Sequence, residues 1–332
     1  MKRVLPAIGL FFIAPLVAEF LLGDIPINMI GALFFLAPMY GGGALLIREI
    51  MRRTGRGWPS IIVLALAYGI FEEAFLTETL FNPNYLGLNL NLLNPAYIPA
   101  LGIGVWWTVF VITLHTVWSI SVSIGLTESL VPDRATKPWL GWIGLSFISL
   151  LFALAAAGSA VYAVKSDKMH FIASVPQFAW SAAAVILVAV IAFLLPKPSS
   201  SRKPVPGAVP SPWLVGLLAL VSGSIFMTVP RGWAWGAVAI YLALYAIMIV
   251  AVSIWCRRAG WDGLHRLALA GGAALAYAWH AFIQKPVINQ PVSVVRTGNG
   301  IFALALIVLL AIAAKKNTAV LKADLSAQSI GG

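Results

Sequence analysis

The chain has 332 residues, of which 61% are hydrophobic and only 10% are charged. An ordinary soluble domain carries roughly 25% charged residues, so water is not the main solvent of this protein. The net charge of +11 comes from short basic clusters between apolar runs, as in the loops of membrane proteins. We therefore expect membrane lipids, and no nucleic acid, as partners. The single cysteine, Cys256, excludes an internal disulfide and any site built from several cysteines.

Apolar runs near the roughly 20 residues that cross a bilayer recur along the whole chain, which predicts an all-α, polytopic bundle of transmembrane helices. The pattern predicts about ten spans, at 4–22, 27–47, 59–81, 100–130, 139–164, 176–195, 213–229, 233–255, 267–284 and 300–314.

Basic residues are unevenly divided between the two sides of this topology. With a cytoplasmic N-terminus, 17 of the 22 basic residues lie inside, namely Lys2, Arg3, Arg48, Arg52, Arg53, Arg56, Arg134, Lys137, Lys197, Arg202, Lys203, Arg257, Arg258, Arg266, Lys315, Lys316 and Lys322. The other five lie outside, namely Lys165, Lys168, Arg231, Lys285 and Arg296. This positive-inside bias predicts that both termini are cytoplasmic and that the protein resides in the cell (inner, cytoplasmic) membrane.

One linker-like stretch, residues 196–212, divides the spans, because its prolines block helix and its serines and charges keep it in water. We expect a six-span bundle over residues 1–195, a cytoplasmic Pro/Ser-rich linker over 196–212, a four-span bundle over 213–314 and a cytoplasmic tail over 315–332. Residues 1–195 hold nine of the 11 acidic side chains. Acidic chemistry is therefore expected in the first bundle.

Two adjacent carboxylates, Glu72 and Glu73, lie well inside the third predicted span. A charge at bilayer depth costs roughly 2.5–3.5 kcal/mol on insertion scales, so the pair must face protein or water and share protons or partners. Because neighbouring carboxylates favour each other's protonation, we expect at least one proton on the pair at neutral pH. Helical spacing places Tyr68 and Thr79 on the face of Glu72, and Gly69 and Thr77 on either side of Glu73. The alternative is that both carboxylates are hydrogen-bonded struts between helices.

The fourth predicted span supplies a partner, His115, at a depth that matches Glu72 on the antiparallel neighbour. Ser119 follows one turn later and can orient the imidazole. The spacing predicts a joint site of Glu72, Glu73 and His115. The alternative for a single histidine in a span is a hydrogen bond to a neighbouring carbonyl or hydroxyl.

Two further polar groups are candidates for binding. Asn82 begins an uncharged outer loop over 82–99, which is rich in amides and is either a lid or a simple interfacial connector. In the ninth predicted span, Tyr277, His280 and Gln284 share one face, where they either complete a site or join two helices.

Other features of the spans have structural interpretations. Glu128 is expected to form a helix-end ion pair with arginines near Arg48, and Glu78 is expected to be solvated near the outer end of its span. Glu19 is expected to cap or pair on the outer side. The glycines at 41–43 permit either close helix approach or a local break. Tryptophans at span ends are expected to anchor at the membrane interface, namely Trp58, Trp106, Trp107, Trp139, Trp213 and Trp233.

These motifs resemble those of the CAAX protease and bacteriocin-processing family of membrane-embedded proteases. That family's signature is Glu-Glu-x-x-x-Arg on one helix, then Phe-x-x-x-His and His-x-x-x-Asn on later helices. Glu72 and Glu73 match the paired glutamates, and His115 matches the histidine of the second motif. Thr77 replaces the arginine, Val111 replaces the phenylalanine, and no His-x-x-x-Asn follows. The resemblance implies that Glu72 or Glu73 activates water and that His115 helps to bind it or to stabilise the oxyanion.

The first functional hypothesis is an intramembrane hydrolase that acts on a peptide or lipid-linked substrate entering from the bilayer. Carboxylates and histidine accept protons as general bases, and the chain lacks the His-Glu-x-x-His pattern of zinc hydrolases, so no metal or other cofactor is expected. The second hypothesis is a proton-coupled transporter or permease for a small molecule, which uses the same carboxylates. The third is a non-catalytic membrane scaffold.

Overall fold

The computed structural model describes residues 4–167, 170–198, 205–286 and 290–330. Lys2, Arg3, Lys168, Arg202 and Lys203 lie outside these ranges, as do residues 199–204 of the predicted linker and 331–332 of the predicted tail.

The described chain is mostly helical and has only two short strands, which confirms the all-α prediction. Its α-helices are α1 (Leu5–Pro15), α2 (Leu33–Arg53), α3 (Trp58–Phe71), α4 (Val105–Thr113), α5 (Ser123–Leu130), α6 (Trp142–Ser166), α7 (Val175–Leu194), α8 (Pro212–Thr228), α9 (Trp235–Trp255), α10 (Gly263–His280) and α11 (Val292–Ile330). The strands β1 (Tyr97–Ile98) and β2 (Ile103–Gly104) form a small antiparallel hairpin in which Tyr97 faces Gly104 and Ile98 faces Ile103.

Three helical stretches contain π-helical turns, which are wider than α-helical turns. We label them π1 (Leu16–Phe20), which continues α1, π2 (Glu72–Leu76), which continues α3, and π3 (Leu114–Val122), which joins α4 to α5. Short 3₁₀ turns cover Ile27–Ala32, Tyr85–Gly87, Pro132–Arg134 and Arg231–Trp233.

Within the described ranges, seven helical stretches are long and apolar enough to cross a membrane: Ile27–Arg53, Trp58–Leu76, Val105–Leu130, Trp142–Ser166, Val175–Leu194, Trp235–Trp255 and Val292–Ala323. Leu5–Phe20 and Pro212–Thr228 are shorter apolar helices, and α10 covers most of the predicted span at 267–284. The helical membrane bundle is therefore confirmed, whereas the count of ten spans and the side of the termini stay predictions.

The core runs through both predicted bundles. Trp118 of π3 stacks on Tyr277 of α10 with 4.5 Å between ring centroids, and Phe226 of α8 packs beside it. A second apolar cluster joins α1, α2, α3, π3 and α6. The helices α6, α7 and α9 expose most of their apolar side chains and form an outer layer. The segments that contain π2 and π3 are the most buried of the candidate spans.

The third predicted span ends earlier than expected. It was predicted to run to residue 81, but the helix ends at Leu76, because the chain then folds back and the hydroxyls of Thr77 and Thr79 both donate to Glu73. The hydrogen bonds of the two threonine side chains to Glu73 thus form where a longer helix would make backbone hydrogen bonds.

The glycines at 41–43 allow close helix approach, not a break, since α2 runs through them. A Cβ at Gly41 would lie 2.0 Å from the Phe11 carbonyl oxygen of α1, and one at Gly43 would lie 2.5 Å from the Tyr68 ring.

The interface-anchor prediction is wrong for part of the tryptophan set. Trp139 is 2% exposed and lies under the Arg48 guanidinium, and Trp106 is buried in the core. Both are held by protein contacts that the sequence pattern does not reveal. Trp213, by contrast, is 89% exposed.

Candidate functional site

The π-helical segments carry several of the polar residues of the bundle interior. Every π segment in the described chain contains an acidic residue or a histidine: Glu19 in π1, Glu72 and Glu73 in π2, and His115 in π3. π-helical turns in α-helices occur frequently at functional sites. Here, the wider turns bring side chains from three stretches of helix to one buried point.

His115 lies between the two carboxylates. Its Nδ1 is 2.9 Å from Glu72 Oε2, and its Nε2 is 2.7 Å from Glu73 Oε1. The three residues, called the trio below, are 1%, 3% and 7% exposed for Glu72, Glu73 and His115. The joint site predicted from the sequence is thus present as a set of direct contacts.

The contacts constrain the protons of the trio. A ring nitrogen and a carboxylate oxygen repel each other at 2.7 Å unless a proton lies between them, so the contact of His115 Nε2 with Glu73 holds one proton. With a second proton on Nδ1 or on Glu72, the net charge is −1 whether His115 is an imidazolium between two carboxylates (+1 and −2) or a neutral ring beside one carboxyl group. The trio is therefore a proton-sharing unit.

The two carboxylates differ in their other partners. Glu73 Oε2 accepts hydrogen bonds from Thr77, at 3.1 Å, and from Thr79, and Trp107 Nε1 donates to the Thr79 hydroxyl at 2.9 Å. The contact of Glu72 Oε2 with His115 is not aligned as a hydrogen bond, and this buried oxygen has no aligned donor within the described ranges. Glu73 is therefore fixed, and Glu72 retains accepting capacity.

Aromatic rings and a glycine shape the surroundings of His115. The Tyr40 ring stacks on the imidazole at 6.0 Å with 14° between planes, and the Tyr68 ring meets it edge-on at 6.3 Å. Ser119 Oγ lies 3.4 Å from His115 Nδ1. A Cβ at Gly69 would lie 3.3 Å from the His115 Cβ, so this glycine lets α3 approach π3 closely.

The structure gathers some of the predicted binding residues and separates others. Tyr68, Thr77 and Ser119 lie around the trio, as expected from helical spacing. The remaining four make their described contacts elsewhere: Asn82 donates to Asp167, Tyr277 stacks on Trp118, His280 lies edge-on to Trp279, and Gln284 donates to Asp24.

Sequence reasoning missed two residues that belong to this polar interior, Glu19 and Tyr40. The Tyr40 hydroxyl donates to Glu19 Oε1 at 2.6 Å while its ring covers His115. The sequence signal for Glu19 is an acidic residue inside an apolar run. Its place near the end of the span favours a role on the outer side, and sequence position does not reveal that Tyr40 lies beside it.

A second buried charge cluster lies at the opposite end of these helices. The predicted ion pair of Glu128 is confirmed: Oε1 lies 3.0 Å from Arg48 Nε, and Oε2 lies 2.6 Å from Arg52 Nη2. Glu49, which sequence reasoning did not assign, lies 2.8 Å from Arg48 Nη1 and accepts from the Trp139 backbone N–H at 2.8 Å.

Glu78 is not solvated. It is buried, and its Oε2 accepts from the Ala173 backbone N–H at 2.6 Å. Burial raises the pKa of this carboxyl group above its ordinary value. The loop after π2 folds inward here, so Glu78 is shielded from water although its position near a span end predicts solvation.

The loop over 82–99 is tied to the second half of the chain. The Arg231 guanidinium donates to the carbonyl oxygens of Leu90 and Asn91 at 2.9 Å each. This contact fits either a closed lid or a fixed connector, so both interpretations of the loop stay open.

The trio is also the one group of three histidine or acidic side chains in the described chain whose ligand atoms lie within 4.8 Å of one another. A single metal ion is within geometric reach of all three. However, both imidazole nitrogens already face carboxylate oxygens, and an ion would have to displace those contacts. The expectation of a metal-free site stays a prediction.

The profile of a family described as an uncharacterized membrane protein family matches residues 10–329. The match includes the trio, the arginine cluster and both predicted bundles. No curated protein and no solved structure matches the chain. Together with the apolar helices, the match identifies a multi-pass membrane protein.

Proposed function

The chain belongs to this uncharacterized membrane protein family, and from that premise we propose that the trio is the active site of an intramembrane hydrolase. The observation that carries the proposal is His115 between two buried carboxylates, with both ring nitrogens within 3 Å of a carboxylate oxygen. Such an arrangement can take a proton from water and return it to a leaving group, which is general acid–base catalysis.

The roles follow from the partners of each group. Glu73, held by Thr77 and Thr79, orients the imidazole. Glu72, whose Oε2 has no aligned donor within the described ranges, accepts the proton of the attacking water. The water oxygen bonds to the carbonyl carbon as that proton moves to Glu72. When the bond to the leaving group breaks, His115 gives a proton to the leaving group and takes the proton held by Glu72, so the trio regains its starting charge.

The resemblance to the CAAX protease family supports a peptide or lipid-linked substrate that enters from the bilayer. Thr77 occupies the position of that family's arginine, and here its hydroxyl donates to Glu73 at 3.1 Å. In this chain, that position therefore supplies an uncharged hydrogen-bond donor to Glu73. We also propose ten spans, cytoplasmic termini and residence in the cell membrane, which the positive-inside bias supports.

The test is hydrolysis by the full chain reconstituted in lipid nanodiscs. The probes are a panel of farnesylated peptides and transmembrane reporter peptides in H₂¹⁸O, with products read by mass spectrometry. We expect one ¹⁸O in the new carboxylate. The variants Glu72→Gln, Glu73→Gln and His115→Asn each lower the rate by about 10²–10⁴-fold, the usual contribution of general acid–base groups.

Glu78→Gln is the matched control, since Glu78 is buried close by in sequence but bonds to Ala173 instead of the trio. It should retain the wild-type rate. Activity should also survive EDTA, and its loss on chelation, with recovery on adding zinc, would contradict a metal-independent mechanism. Wild-type rates in the trio variants, or no product with any probe, would overturn the hydrolase proposal.

A proton-coupled transporter is the second candidate, and one observation favours it. A series of acidic residues leads away from the trio. Tyr40 contacts both His115 and Glu19, and the backbone N–H of Asp24 donates to the Glu19 carbonyl oxygen at 3.0 Å. Tracer uptake of a panel of small solutes into proteoliposomes under a pH gradient separates the candidates. Uptake that is lost in Glu73→Gln supports transport and removes the hydrolase.

A further inference from the structure

Glu19 lies next to the trio but is not used by the proposed chemistry. It is one residue from the end of π1, and its Oε1 accepts the Tyr40 hydroxyl at 2.6 Å. The same Tyr40 ring stacks on His115. One tyrosine thus contacts both a fourth acidic side chain and the imidazole of the site.

The bundle has two distinct ends around this group. At the end called the Asp24 end, α1–π1 and α3–π2 finish and α4 begins. At the opposite end, called the Arg48 end, Arg48 and Arg52 pair with Glu128.

We propose that Glu19 is a fourth proton-binding residue of the site and connects the trio to the Asp24 end. Protons enter from water at Asp24, bind the Glu19 carboxylate, and pass to a carboxylate or imidazole nitrogen of the trio; they leave by the reverse route. No other bond is made or broken. The inference rests on the proposed proton chemistry of the trio, and it holds for hydrolysis and for transport.

The electrostatics of the cluster couple Glu19 to the trio. The titratable groups that interact electrostatically with Glu19 are Tyr40 on α2, Tyr68, Glu72 and Glu73 on α3–π2, Tyr85 in the loop after π2, His115 on π3, Tyr277 on α10, and Asp24. Because four carboxylates share this region with one imidazole, a proton bound at Glu19 weakens its repulsion of the trio, and a proton lost from Glu19 strengthens it. Proton uptake at one member is therefore linked to uptake at the others.

Asp24 is suited to exchange protons with water near neutral pH. It is partly exposed, and its carboxylate accepts from Gln284 beyond the end of α10. Burial, followed by the nearby Glu19, raises the pKa of Asp24 to about 7. A group that titrates near neutral pH both gains and loses protons under physiological conditions.

Protons do not reach the site from the Arg48 end. Glu128 and Glu49 are fully engaged by arginines and backbone N–H groups, and the Arg48 side chain is 0% exposed. Buried guanidinium groups repel an approaching proton. The proposed route is therefore one-sided.

The test uses the full chain in proteoliposomes sorted by orientation with a C-terminal tag. Infrared difference spectra follow the carboxyl C=O bands after a pH step on one side of the membrane. We expect a band that Glu19→Gln removes, and a carboxyl response that is at least about tenfold faster after a step at the Asp24 end. Glu19→Gln should slow that response about tenfold.

Tyr40→Phe is the second variant, because it keeps the ring on His115 and removes only the hydroxyl bonded to Glu19. It should shift the Glu19 band. Tyr245→Phe is its matched control, since the Tyr245 hydroxyl bonds to Thr113 on α4 instead, and it should leave bands and rates unchanged. Variants are compared only after each elutes as a single folded species.

Three outcomes overturn the inference: no pH-dependent band assigned to Glu19, trio bands that respond equally fast in Glu19→Gln, or equal responses from both sides. If the trio still titrates and its variants still lose hydrolysis, the proposed function stands without Glu19. If Glu72→Gln and Glu73→Gln retain full activity, the proposed function fails, whatever Glu19 does.

Discussion

In the Arg48–Glu128 cluster, the guanidinium groups of Arg48, Arg52 and Arg53 face two buried carboxylates, Glu49 and Glu128, whereas in the trio two carboxylates share a single imidazole. Arg48 also donates to the Ala135 and Lys137 carbonyl oxygens at 2.7 and 3.0 Å and lies 3.2 Å above the Trp139 ring. Each carboxylate of its cluster is thus paired with two guanidinium groups. The trio has an excess of negative charge and one oxygen without an aligned donor.

This difference distinguishes structural from functional charges in a membrane interior. A carboxylate paired with two guanidinium groups has little left to offer a substrate, and removing it leaves buried positive charge unpaired. Carboxylates that share one imidazole exchange protons, since they compete for too few of them. The four predictions below test this contrast: three are substitutions in order of their expected effect on stability, and the last is a pH dependence.

Replacing Glu128, the carboxylate shared by Arg48 and Arg52, should lower the stability of the fold most. Glu128→Ala leaves Arg48 and Arg52 without their shared carboxylate, and a broken buried pair costs about 3–5 kcal/mol. Thermal unfolding in detergent micelles measures the loss. Asp133→Ala, at an exposed position a few residues away, is the control and should change stability little. A Glu128→Ala protein as stable as wild type would mean that the cluster is solvated.

The close approach of α1 and α2 should be the next most sensitive feature. A Cβ at Gly41 would lie 2.0 Å from a backbone oxygen, so Gly41→Ala must push the helices apart, at about 2–3 kcal/mol for overpacking. Gly158→Ala on α6, where a Cβ meets nothing within 4 Å, should not destabilise. The same unfolding assay applies, and equal effects of both substitutions would show that α1 and α2 do not pack this tightly.

Neutralising a trio carboxylate should barely change stability although it abolishes turnover. Glu73→Gln keeps an oxygen that accepts from Thr77 and Thr79 and removes one of two competing negative charges, so we expect a change within about 1 kcal/mol. A loss as large as that of Glu128→Ala would place the trio among structural ion pairs.

Asp24 should make the stability of the fold depend on pH. Its pKa is 3.8 ordinarily and about 7 in the fold, so between these values the folded state binds more protons than the unfolded state. Stability therefore falls as pH rises from about 4 to 7 and levels off above. Asp24→Asn should flatten that part of the profile in pH-dependent unfolding. An unchanged profile would assign the slope to other groups.

Periodicity could predict the meeting of Glu72, Glu73 and His115, because depth along antiparallel helices is countable in residues. It could not predict Tyr40 over His115 or Thr79 on Glu73, since these contacts depend on helix rotation and on a chain reversal after Leu76. Trp139 illustrates the same limit: its position suggested the membrane interface, and its actual partner is a guanidinium group on another helix.

The sequence by itself determined the solvent, the helical class and the most informative pair of residues, because hydropathy and the cost of buried charge are local properties of the chain. The tertiary structure alone decided which charges are neutralised and which are left to share protons. That outcome depends on distances between helices, and these are set where glycines such as Gly41 and Gly69 let backbones meet and π-helical turns rotate acidic side chains inward.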